Sequence, residues 1–354
     1  RFQPPLNRDV DFPIAFIKVV YQDYEFLEEQ LKNTYASENV YCFAPDQKRS
    51  SLTFRRRLTA LSAALPNVFL SSEEYDRDKY HHFYSNAQLD CLKLLLKKNK
   101  KWKYVLFQED NDIVIKTHEE MAKIFGIMDG AADIEIGWCP DGRCGTNFER
   151  SLAKLGLCPP HLNPSDAAAC RNANVTWAKG APQVSLPRVT AEYLTEKMDL
   201  TVMLEHLNAK GWGNEDILLA SLFATEELKI PGRFTTRCFP KLNRFLSAWS
   251  VWYDVKNCGS RYMSGSFCVF GVEDLPSLAK QESISAARIW PYFDYAAISC
   301  ISEMLTNRTL GLRNDGFNEG YYITLEEIRY TKLLRDSKVP AEEIECAKLG
   351  PFKP

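Results

Sequence analysis

The sequence predicts an α/β fold, a mostly parallel Rossmann-like sheet with helices on both faces and disulfide bonds. Three observations lead there. Residues 11–70 alternate short apolar runs with stretches of helical spacing, the rhythm of parallel strands joined by crossover helices. Apolar residues make up 45% and charged residues 25% of 354, a globular balance with enough chain for a sizeable core. Eleven cysteines occur without a paired Cys-x-x-Cys spacing, which favours disulfides over zinc.

The elements follow in order. Ile14-Ala15-Phe16-Ile17-Lys18-Val19-Val20 is apolar and β-rich, residues 24–35 have helical spacing, and Val40-Tyr41-Cys42-Phe43-Ala44 is a second strand stopped by Pro45-Asp46. Residues 51–65 are helical, and Pro66-Asn67 ends them before a third strand, Val68-Phe69-Leu70. Such a sheet places its ligand beyond the carboxyl ends of its strands, so Asp46 sits where a nucleotide-contacting carboxylate belongs. A helix over 84–96 precedes the strand Tyr104-Val105-Leu106-Phe107, which runs into the acidic turn Gln108-Glu109-Asp110-Asn111-Asp112. Residues 139–179 are rich in Pro, Gly, Asn and Cys and predict an irregular, disulfide-tied insertion over the active face. Residues 190–207 and 217–228 read as helices, and Phe267-Cys268-Val269-Phe270 as strand.

With 44 basic against 46 acidic residues, nothing calls for a polyanion, and nucleic acid is not an expected partner. The basic runs Arg55-Arg56-Arg57 and 97–101 read as solvated helix faces, and His81-His82 as a solvated helix end. No stretch approaches the ~20 apolar residues of a membrane helix, and the chain opens without a signal-like run. It therefore reads as a mature or truncated soluble piece, attached to a membrane only through a segment it does not contain. The sequons at Asn174 and Asn307, with the cysteines, favour an oxidising lumenal or extracellular setting. The odd cysteine number leaves at least one thiol without a partner in this chain.

Seven segments in register resemble the core-2/I-branching β-1,6-N-acetylglucosaminyltransferase family, especially its divergent nematode-type members, across roughly residues 12–310. They are Phe12-Pro13-Ile14-Ala15-Phe16, Asn39-Val40-Tyr41-Cys42, Pro66-Asn67-Val68-Phe69, Leu89-Asp90-Cys91, Trp102-Lys103-Tyr104-Val105, Ile115-Lys116-Thr117, and the run from Cys268 through Val269, Phe270, Gly271, Val272, Glu273 and Asp274 to Leu275. The resemblance implies a GT-A-type fold over 12–310, with 1–11 as a stem remnant and 311–354 as a partly helical C-terminal extension. It implies a UDP-sugar donor, inverting transfer to a glycan or glycoprotein acceptor, no required metal, and a Golgi, secreted or cell-surface setting.

Carried over residue by residue, Asp216, with Glu215 beside it, falls where relatives hold their catalytic base, although the family's Asp-Glu order is inverted here. Both acids could instead cap the helix that follows. Val19 or Val20 and Asp46 fall on uridine contacts, Glu135 on an acceptor-binding glutamate and Trp249 on an acceptor-stacking Trp. Of the family's diphosphate-binding Arg and Lys, the first is Gly265 here and the second Arg288. Cys42 with Cys91, and Cys258 with Cys268, fall on family disulfides. Asp110 and Asp112 have the Asp-x-Asp form with which metal-dependent GT-A enzymes hold Mn²⁺ under a diphosphate. The departures at Gly265 and Asp216 keep a catalytically silent, glycan-binding or cell-surface protein open as an alternative. Peptide O-xylosyl transfer, on the same fold family, is the other.

Overall fold

The computed structural model describes residues 11–78, 81–99, 101–144, 149–209, 215–238, 245–313, 317–336 and 343–345. The predicted stem, apart from Asp11, lies outside them. The chain runs through β1 (Ile14–Val20), α1 (Tyr24–Thr34), β2 (Val40–Pro45), α2 (Leu52–Ala64), β3 (Val68–Leu70), α3 (Tyr84–Lys98), β4 (Tyr104–Gln108), β5 (Asp112–Val114) and α4 (His118–Met128). The insertion holds β6 (Gly137–Trp138), α5 (Asp141–Cys144), α6 (Pro164–Asn172) and β7 (Ala178–Lys179). Then come β8 (Val184–Pro187), α7 (Arg188–Glu192), α8 (Thr201–Asn208), α9 (Leu218–Ala224), β9 (Ala248–Trp249), β10 (Met263–Ser264), β11 (Phe267–Cys268), α10 (Leu275–Leu278), β12 (Ser285–Ala287), α11 (Tyr295–Thr309), α12 (Glu319–Ile323) and α13 (Glu326–Asp336).

The main sheet has the order β3-β2-β1-β4-β8, with β8 antiparallel to β4 and the other pairs parallel. All seven residues of β1 are buried, because its two faces feed different cores. Ala15, Ile17 and Val19 pack with Leu92 and Leu95 of α3, while Ile14, Phe16 and Val20 pack with Leu27 of α1, Leu58 of α2 and Phe125 of α4. A strand covered on both sides reads as a continuous apolar run, which is why it was visible in the sequence. Lys18 is its one charged residue; its Nζ bonds Gln30 and donates to the Asp112 carbonyl at 2.9 Å. From β1 the chain steps outward to β2 and β3 and then crosses back to β4 on the other side of β1. The crevice at the carboxyl ends of β1 and β4 is thus the topological switch point where such sheets bind ligands.

A smaller sheet, β5-β12-β9, stands beside that crevice, with Ala287 paired to Asp112 and Ala286 to Trp249. The β10-β11 hairpin turns at Gly265, whose φ of +59° side chains rarely adopt.

One expectation changes. The helix expected over 190–207 is interrupted: α7 passes into a π turn at Tyr193–Lys197, and α8 restarts after Asp199 accepts the Thr201 N–H. The C-terminal segment carries α12 and α13, and its Tyr322, Leu325 and Ile328 are fully buried in the core beneath α4.

Cys42 bonds Cys91 and Cys258 bonds Cys268, the pairs the resemblance implied; Cys139–Cys144 and Cys158–Cys170 are bonded inside the insertion, and Cys300 is free. The Cys42–Cys91 bond joins β2 to α3 across 49 residues. On chain-entropy grounds its removal is expected to lower stability by about 4 kcal/mol. Denaturant unfolding of the C42S/C91S variant checks this, and an unchanged midpoint would contradict it.

Candidate functional site

A cleft of about 670 Å³ opens where the main sheet, the smaller sheet and the insertion meet. Its walls come from sequence-distant segments. The strand alternation of residues 248–252 sends Ala248, Ser250 and Trp252 into the cleft, and packs Trp249 and Val251 into the core behind it. Trp249 stacks on Phe270 with ring centroids 4.9 Å apart. Trp249, expected against an acceptor, is half-buried on Phe270 and is not among the residues that line the cleft. Trp252, 45% exposed and packed on Phe267, is the indole at the cleft. Asp133 fixes this wall by accepting from the Leu246 and Ser247 N–H groups and the Ser247 hydroxyl.

Glu215 and Asp216 lie on the opposite wall, just before α9. Neither caps α9, whose N-terminus has no side-chain cap bond. Asp216 is ion-paired to Arg143 at 2.6 Å and Lys179 at 3.5 Å. Both partners come from the insertion, Arg143 within the loop closed by Cys139–Cys144. Glu215 differs: its Oε2 is buried without a hydrogen-bond partner. Burial, reinforced by the neighbouring Asp216 carboxylate, pushes its carboxyl up to about 8. Glu135 also lines the cleft, and burial raises its carboxyl. Gly180 lies between these walls. Its N–H donates to the Asp216 carbonyl at 2.8 Å, and a Cβ there would meet the Glu135 carbonyl oxygen at 1.8 Å. Only glycine lets the strands approach so closely.

Toward the main sheet the cleft reaches Glu109, His81 and Arg288. Arg288 follows β12 and is held by Ile289 N–H to Asn111 O and by Phe270 N–H to its own carbonyl, both 2.9 Å, with its guanidinium over Phe267. Val19 and Val20 give their side chains to the two cores, and the Val20 carbonyl accepts the Asp46 N–H. They offer a ligand no side chain, and Tyr21 stands at the strand end instead, with the Arg49 guanidinium 3.7 Å over its ring. Asp46 sits at the carboxyl end of β2, but its side chain is fully buried. It accepts from Arg77 Nε at 3.1 Å and from the Lys48 and Arg49 N–H groups. It organises the loop rather than facing the cleft.

The Asp-x-Asp turn does not fit a metal. Asp112 accepts from Glu109 N–H at 2.7 Å and Gln183 Nε2 at 3.0 Å and is fully buried. Among the described residues no three His, Cys, Asp or Glu side chains group as metal ligands. His82 pairs with Asp78, whereas His81 points to the cleft. Arg55 is no simple solvated face residue, since it donates to the Asp46 and Gln47 carbonyls. Asn174 is exposed and Asn307 half-buried near the end of α11. No described helix is long and apolar enough to cross a membrane.

Sequence reasoning missed Arg77, Arg143, Lys179 and Trp252. For Trp252 a signal was present, the period-2 alternation across residues 248–252.

Comparison with known proteins agrees with this architecture. The sequence model of the family described as "Branch: Core-2/I-Branching enzyme" matches residues 14–279. The beta-1,3-galactosyl-O-glycosyl-glycoprotein beta-1,6-N-acetylglucosaminyltransferase 3 of Homo sapiens is 33% identical over 322 residues, 87% of this chain and 72% of its own length. Its Mus musculus counterpart is 25% identical over 327 residues, 87% of this chain and 71% of its own length. An enzyme of the same description, without the number, from Bovine herpesvirus 4 is 34% identical over 134 residues, 38% of this chain and 30% of its own length. With the family model spanning most of the chain, this protein belongs to the core-2/I-branching enzyme family of glycosyltransferases.

Proposed function

We propose that the chain transfers N-acetylglucosamine in β-1,6 linkage from a UDP-sugar to a β-1,3-galactosyl O-glycan acceptor, with inversion and with Glu215 as the general base. The observation that carries this reading is Glu215 itself, a desolvated carboxyl with an open oxygen on the cleft wall. Asp216 is engaged by Arg143 and Lys179. That assignment reverses the carry-over, which put the base at Asp216. The acceptor's 6-hydroxyl gives its proton to Glu215 as its oxygen attacks the anomeric carbon of the donor, and the bond to UDP breaks from the far side. Negative charge then grows on the diphosphate, and Arg288, which also lines the cleft, stabilises it. The relatives' names supply the sugar, linkage and acceptor class. A lumenal Golgi or extracellular setting suits the four disulfides found among the described residues.

Incubation with UDP-N-acetylglucosamine and a β-1,3-galactosyl-N-acetylgalactosamine acceptor tests the proposal. A β-1,6-linked product is expected by NMR; an α linkage, or no product with protein shown to be folded by its melting curve, would contradict it. Trp252 stacks on the acceptor sugar in this reading. Trp252→Ala is expected to raise the acceptor KM a few-fold, up to about tenfold, with kcat nearly unchanged. Initial-rate kinetics at saturating donor check it.

A further inference from the structure

At the carboxyl ends of the parallel strands two complementary polar atoms lack partners. Arg77 is 5% exposed and gives its Nε to Asp46, yet its Nη2 is buried and bonds nothing. Asp110 Oδ2, in the turn after β4, is likewise buried without a donor. A folded chain rarely leaves such atoms open, because each has given up water without a replacement. The two side chains flank the end of β1: Arg77 is held by Asp46 at the end of β2, with its guanidinium 5.7 Å from the Tyr21 ring, and Asp110 follows β4 on the other side, where Arg77 is, after burial itself, the strongest influence on its carboxyl. Three guanidinium groups, from Arg77, Arg288 and Arg49, bear on the His81 imidazole at the cleft and, behind burial, lower its pKa. Asp46, Asp110 and Glu109 stand against those three. The two open atoms call for one hydrogen-bond acceptor opposite Arg77 Nη2 and one donor opposite Asp110 Oδ2.

We infer that Arg77 and Asp110 form an anchoring point for the nucleotide donor: Arg77 Nη2 bonds an oxygen of the diphosphate, and Asp110 Oδ2 accepts a hydroxyl hydrogen from the ribose or the transferred sugar. This rests on the UDP-sugar reading above. Under it, Asp46 acts through Arg77, holding the guanidinium so that one N–H edge is free.

Calorimetric titration with uridine, UDP and UDP-N-acetylglucosamine, in chelator, tests this on wild type, Arg77→Lys and Asp110→Asn. Lysine keeps the charge opposite Asp46, and a melting curve verifies the fold, but it lacks the second planar N–H. For Arg77→Lys, UDP affinity is expected to fall about ten- to a hundredfold, with uridine within about twofold. Asp110→Asn is expected to weaken all three ligands if the hydroxyl is the ribose's, and UDP-N-acetylglucosamine alone if it is the sugar's. Wild-type UDP affinity in Arg77→Lys, equal losses for uridine and UDP, or unchanged binding of all three ligands by Asp110→Asn would overturn the inference. So would UDP binding that requires added Mn²⁺, since that gives Asp110 to a metal. Wild-type protein that binds none of the three defeats the UDP-sugar reading too, whereas binding indifferent to both substitutions defeats only this inference.

Discussion

Replacing Glu215 by Gln is expected to lower kcat by about 10²- to 10⁴-fold, the usual contribution of a positioned general base. UDP affinity should stay within about twofold, because in this reading cations, Arg288 among them, hold the diphosphate and this carboxyl does not. The amide keeps the shape and volume of the side chain but cannot take a proton. It also removes a buried carboxyl crowded by Asp216, so the variant should fold at least as stably as wild type. Asp216→Asn is the control. It weakens the pairing with Arg143 and Lys179 and so loosens the insertion's grip on this wall, but it leaves the proton acceptor in place. Steady-state kinetics with a fixed acceptor distinguish the two, and a larger loss in Asp216→Asn than in Glu215→Gln would move the base to Asp216.

Asp46→Ala is expected to destabilise the fold by about 3–5 kcal/mol, the effect of leaving one member of a buried ion pair uncompensated. Arg77 would be stranded with its side chain 4% exposed. The loop N–H groups of Lys48 and Arg49 would also lose their acceptor. Weaker UDP binding by this variant would then follow from disorganised structure. Chemical denaturation measures it; wild-type stability combined with weakened UDP binding would show that the carboxylate meets the nucleotide itself.

The central sheet was legible because β1, β2 and β4 are buried on both faces and so read as unbroken apolar runs. The smaller sheet was not. Its strands are two or three residues long, too short for any period to register. The acidic pair 215–216 was legible as a site, but which member stays free was not. That depends on Arg143 and Lys179, which reach Asp216 from 73 and 37 positions away. Arg77 lies between β3 and α3 in a segment without periodicity, and its meaning comes only from Asp46 and Asp110 in three dimensions. The carry-over picked Trp249 by residue type, whereas the alternation across residues 248–252 turns it toward Phe270 and puts Trp252 on the cleft lining.

The pH dependence of kcat/KM for sugar transfer reads the protonation of Glu215 itself, since that profile reports the free enzyme's essential groups. The base works deprotonated, and burial has raised the Glu215 carboxyl from 4.5 to about 8. The rate is therefore expected to climb about tenfold per pH unit below that value and to level off above it, with the inflection absent in Glu215→Gln. A rate already level from about pH 5 upward, as an ordinary solvated carboxylate would give, would contradict it.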